Sequence, residues 1–86
     1  MRAIMRRDSF EIIFEESDKY AGKILFIEGQ PGLKNDFYIL PKPEMSWLDK
    51  KKKKEEYVDP DEYREILDYV LDKIKGTEYS FIVYNR

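Results

Sequence analysis

The sequence predicts an α+β fold: an antiparallel sheet of four to five strands, one C-terminal helix at about 60–75 packed on one face, and a final strand after the helix. Three observations carry this prediction. Short runs of alternating apolar and polar residues recur in the first half of the chain. One segment with helical periodicity opens on Asp59-Pro60, and an apolar run follows it. Consecutive short strands pair as hairpins, and a lone amphipathic helix needs a sheet face on which to bury its stripe.

Taken in order, Ser9–Glu16 reads as a strand, with Phe10, Ile12 and Phe14 on one side and Glu11, Ile13 and Glu15 on the other. The polar stretch from Glu16 to Gly22 suits a long hairpin loop. Lys23–Glu28 is a second strand, ended by the turn sequence Gly29-Gln30-Pro31-Gly32. Asp36–Leu40 is a third, rich in aromatic and β-branched residues. Pro41 and Pro43 withhold ladder hydrogen bonds, which predicts an edge, a bend or a loop. Glu44–Leu48 is a short fourth strand, and Lys50–Lys54 a solvated loop. In the helix, Asp59 is the N-cap, Pro60 the first position, Glu62 the third as in a capping box, and Gly76 closes it. Tyr63, Ile66, Leu67, Val70 and Ile74 form its apolar stripe. Glu78–Asn85 is the last strand; being apolar on both sides, it is expected in the middle of the sheet.

Composition narrows the chemistry. The chain has 86 residues, enough for one small domain, and its aromatic content of 15% supplies much of the core. With no His and no Cys, it lacks the commonest general base, the strongest nucleophile and most transition-metal ligands. Its serines at 9, 17, 46 and 80 lie in no nucleophile-elbow pattern, and no Gly-rich phosphate loop leads into a helix. The expectation is a binding protein and not an enzyme, with no cofactor and no metal. No apolar run follows Arg2, Arg6 and Arg7, and the longest apolar stretch, Phe81–Tyr84, is far short of a membrane span. Lack of cysteine suits a reducing compartment, so a cytoplasmic protein is expected.

Charge makes up 40% of the chain but balances to −2, so its distribution is what informs. Asp61, Glu65, Asp68 and Asp72 share one side of the helix, opposite the apolar stripe. Exposed helix faces are commonly charged for solubility alone; the functional reading is a surface complementary to a basic partner. Lys50, Lys51, Lys52, Lys53 and Lys54 suit phosphate contacts beside exposed aromatics, although the acidic residues that follow would repel the same backbone. Trp47, the single Trp, fits either core packing or an interface hot spot. Glu28 reads as a charge at a strand end in water.

Gly22-Lys23-Ile24-Leu25-Phe26-Ile27-Glu28-Gly29-Gln30, then Phe37-Tyr38-Ile39, Met45-Ser46-Trp47, Asp59–Ile74 and Phe81-Ile82-Val83 together resemble the immunity protein 74 family across roughly residues 22–84. That family carries a G-K-x-I-x-I-x-G-E strand, a W-x-x-P segment, a helix with paired Ile residues and a terminal strand. Gln30 stands where an acidic residue is expected, and the next proline after Trp47 is Pro60. The resemblance implies a bacterial protein encoded beside a polymorphic toxin, which it binds and neutralises. It transfers no contact residues. Four strands followed by a helix also resemble the single-stranded-DNA-binding transcriptional coactivators, in which the Lys run would meet phosphate and Tyr20, Tyr38 or Trp47 would stack on bases. A homodimeric structural domain, its terminal strand paired across a two-fold axis, is the third reading.

Overall fold

The computed structural model describes residues 1–49 and 53–84. Eight strands and one helix follow each other as β1 (Arg2–Met5), β2 (Ser9–Ile13), β3 (Ile24–Glu28), β4 (Gln30–Pro31), β5 (Asp36–Ile39), β6 (Met45–Asp49), β7 (Lys54–Tyr57), α1 (Pro60–Ile74) and β8 (Ser80–Val83). A five-stranded antiparallel sheet runs in the order β1-β2-β3-β6-β7, and a three-stranded sheet in the order β4-β5-β8. The predicted α+β class, the helix on one sheet face and the strand after the helix are all present.

One side of the large sheet is the core. Phe10, Ile12, Phe14, Leu25, Ile27 and Met45 point to it and meet Ile66, Leu67, Val70 and Ile74 of α1, the stripe expected from the 3.6-residue period. Phe37 and Ile39 close it from the small sheet. The Phe10 ring lies 5.3 Å from Phe37, 5.1 Å from Tyr79 and 4.8 Å from Phe81, the last two edge-on. At the helix start, the Asp59 side chain accepts from the Asp61 N–H at 2.9 Å, so the cap closes on the second helical residue and not the third. The Tyr63 hydroxyl donates to the Pro43 carbonyl and ties the helix to the proline bend.

Four features depart from expectation. β1 precedes the first anticipated strand and pairs with β2. Of the loop expected at Lys50–Lys54, Lys50, Lys51 and Lys52 lie outside the described residues and Lys53 is in a turn, but Lys54 opens an unanticipated strand, β7, paired with β6. The strand at 36–39 belongs to the second sheet, because the chain leaves β3 at Gly29 and enters β4 at the next residue. The Gly29 N–H donates to the Asp8 carbonyl at 3.2 Å, and a Cβ built on Gly29 would run into the Tyr38 carbonyl and the Phe37 ring, so only glycine fits. Finally, β8 is an edge strand and not a central one: its sole strand partner among the described residues is β5, parallel to it. Its two-sided apolar character arises because Phe81 faces the core while Ile82 lies beside Tyr38 on the outer surface.

No helix of the described residues is long and apolar enough to cross a membrane.

Candidate functional site

The helix covers one face of the large sheet and leaves the other open. Antiparallel partners share a face, so the register fixes the layout of the open side. One row across the strands reads Ile4, Glu11, Phe26, Ser46, Tyr57. The next reads Arg2, Ile13, Ile24, Leu48, Glu55. A third holds Ser9 and Glu28, with Glu44 following where the Glu28 N–H donates to the Glu44 carbonyl at 2.9 Å. Ile24 is only 7% exposed although it lies on the uncovered side, flanked across the strands by Ile13 and Leu48. The result is an apolar centre with polar margins.

The two margins differ in charge. On the β1 side, Arg6 meets Glu11 at 3.5 Å and Arg2 meets Glu15 at 3.7 Å, so acid and base offset each other. Elsewhere on the open face, Asp8, from the connection between β1 and β2, lines a depression together with Ser9, Phe26, Glu28, Glu44, Ser46, Glu55 and Tyr57. Glu55 accepts a 2.6 Å hydrogen bond from the Ser46 hydroxyl. Among the described residues, Asp8, Glu28 and Glu44 have no ion-pair partner. Glu28 and Glu44 hydrogen-bond through their carboxyls, and this bond holds the Glu28 carboxyl above its ordinary pKa; the negative charge of Glu44, some desolvation and Asp8 push the same way. Acids gathered without a cation beside them make this a surface short of positive charge.

The residues singled out from sequence lie elsewhere. Asp61, Glu65, Asp68 and Asp72 are all exposed on α1, and two of them are already partnered. Glu65 takes the Lys19 ammonium from the loop before β3, and Asp68 takes Arg64 at 3.4 Å. Trp47 is half-buried on the covered side of the sheet, its ring 5.6 Å from Tyr20 and 6.0 Å from Phe14, with the Lys23 ammonium 5.0 Å above it. Tyr20 and Trp47 therefore pack against each other at a tilt, while Tyr38 belongs to the small sheet, so the three aromatics form no common platform. Lys50, Lys51 and Lys52 lie outside the described residues. Lys53 occupies the turn before β7 with φ of 51°, and Lys54 sits 3.6 Å from Glu56.

Sequence reading missed Asp8, Glu44 and Glu55 and passed over Glu28. Glu28 and Glu44 meet only because β3 pairs with β6 across the intervening β4–β5 excursion. The one local signal was an acid at each strand boundary beside an apolar run. Chemically, the arrangement suits ammonium or guanidinium groups presented beside apolar surface. Among the described residues no group of three or more His, Cys, Asp or Glu is placed to hold a metal ion. Comparison with protein-family models, with curated proteins and with solved structures yields no match to this chain.

Proposed function

We propose that this chain is a non-catalytic binding protein of the immunity type, which docks a basic toxin domain on the open face of its large sheet. The observation that carries the reading is the group of carboxyls Asp8, Glu28 and Glu44, without ion-pair partners among the described residues, next to Phe26 on the open face whose further row holds Ile13, Ile24 and Leu48. Such a surface offers what a basic protein interface lacks: charge of opposite sign and apolar area to desolvate. A Lys or Arg inserted at the Glu28–Glu44 pair would offset the repulsion between the two carboxyls. The exposed acids of α1 add a long-range field of the same sign, which speeds encounter more than it strengthens the complex. The resemblance to the immunity protein 74 family supports a polymorphic toxin as the partner.

The test uses the toxin domain encoded beside this chain, titrated calorimetrically with the chain at two salt concentrations and co-expressed with it in a growth assay. The wild type is expected to bind at equal stoichiometry, more weakly at high salt, and to restore growth. The triple variant Glu28→Lys/Glu44→Lys/Glu55→Lys is expected to lose both while keeping its circular dichroism spectrum. Unaltered protection by that variant sinks the reading. Salt-sensitive binding of a single-stranded oligonucleotide, lost when Lys50–Lys54 become Ser, would replace it with the nucleic-acid reading.

A further inference from the structure

Among the described residues, two open sheets present four edges, held by β1, β7, β4 and β8. Three of them carry the devices by which proteins keep strand edges from pairing. β1 bears Arg2 and runs into Arg6 and Arg7; β7 reads Lys-Glu-Glu-Tyr; β4 is two residues long and one of them is Pro31. β8 has none of these: from Tyr79 to Tyr84 there is no charge, no proline and no glycine.

Its backbone is placed to accept a neighbour. The Ser80 N–H donates to the Asn35 carbonyl at 3.0 Å and the Tyr84 N–H to the Ile39 carbonyl at 2.7 Å. Alternate residues of β8 thus face β5, and the N–H and C=O groups of Phe81 and Val83 point to the free side. The surface beside them is apolar: Tyr38 and Ile82 are register partners, Leu40 and Tyr84 follow two residues further on, and Tyr38, Leu40, Val83 and Tyr84 are all exposed.

We propose that β8 pairs antiparallel with β8 of a second copy of this chain across a two-fold axis, joining the two small sheets into one. Three points select a copy over a foreign strand. β8 carries no charge with which to recruit a basic or acidic partner, in contrast to the open face of the large sheet. A chargeless strand meets itself without placing like charges opposite, the usual obstacle to self-pairing. A two-fold interface also doubles each patch, so the outer surfaces of Tyr38, Leu40, Ile82 and Tyr84 merge into one apolar band, adding burial that a four-residue ladder lacks on its own. With Ile82 on the axis, Phe81 of one copy lies opposite Val83 of the other, and each such pair exchanges both of its N–H···O bonds. This pairing leaves the acidic face of the large sheet free and does not depend on the function proposed for it.

Sedimentation equilibrium of the full chain, from low micromolar to near-millimolar concentration, is the test. The wild type is expected to shift from 10.4 kDa to twice that mass. Val83→Pro removes only an outward-facing donor, and Ile82→Lys sets like charges on the axis; both are expected to stay at the monomer mass. Amide hydrogen exchange of the wild type supplies a readout that needs no variant. Phe81 and Val83 amides are expected to slow as concentration rises, while the Ile82 amide, bonded to β5, stays constant. A monomer at every concentration, a dimer that survives both substitutions, or exchange at Phe81 and Val83 that ignores concentration would each overturn the proposal.

Discussion

Phe10 and Glu11 are neighbours in the chain and face opposite sides of β2. The Phe10 ring is fully buried among Phe37, Tyr79 and Phe81, whereas the Glu11 carboxylate reaches the open side and is held there by Arg6. The same division runs along β3, where Leu25 and Ile27 are fully buried and Phe26 and Glu28 are not. On the covered face packing decides which residues are tolerated. On the open face a side chain has few neighbours to satisfy, so its identity is free to answer to something outside the molecule. Strand alternation lets one backbone serve both demands.

The largest effect that would break this comparison lies in the core. Phe10→Ala is expected to cost about 3–5 kcal/mol, read as a fall in the urea midpoint, and Phe26→Ala about 1–2 kcal/mol. Equal losses would mean that the open face stabilises the fold as much as the covered one. Next in size is partner affinity. On the proposed docking, reversing Glu28, Glu44 and Glu55 to Lys is expected to weaken binding of the basic partner more than ~100-fold, chiefly through faster dissociation. Reversing Asp61, Glu65, Asp68 and Asp72 is expected to slow association about tenfold with little change in dissociation. The opposite pattern would move the docking surface to the helix.

A smaller effect concerns pH. Because the Glu28 carboxyl titrates above its ordinary value of 4.5, the folded chain keeps a proton that the unfolded chain releases. The stability this group contributes is complete below that value and declines as pH rises through the raised one. Thermal midpoints measured from about pH 4 to 7 should fall less in Glu28→Gln than in the wild type, by a modest amount because both carboxyls are wet. An identical slope would separate Glu28 from Glu44. Smallest of all, Lys19→Ala should leave the urea midpoint unchanged, since the Lys19–Glu65 pair is exposed at both ends.

Much of the covered face was legible in the sequence, because burial imposes period: Phe10, Ile12 and Phe14 alternate, and Ile66, Leu67, Val70 and Ile74 keep helical spacing. What escaped was written without period. β7 is polar on both sides because it is an edge in water, and its Lys-Glu-Glu sequence looks like a loop. β1 lies among arginines that resemble an unstructured basic terminus. The parallel pairing of β5 with β8 spans the whole of β6, β7 and α1, a distance over which no local pattern speaks. The carboxylate rim shares that difficulty, since Asp8, Glu28, Glu44 and Glu55 come from four separate stretches and meet only through register.

Gly29 joins the two sheets with a single residue and admits no side chain. Its neighbour Glu28 ends on the open face and crowds nothing in the core. If the open face docks a toxin as proposed, codon 28 is expected to drift with that partner while codon 29 stands still. Descendants of this chain would then show variable letters beside one constant glycine, and aligning them would trace the outline of the proposed contact.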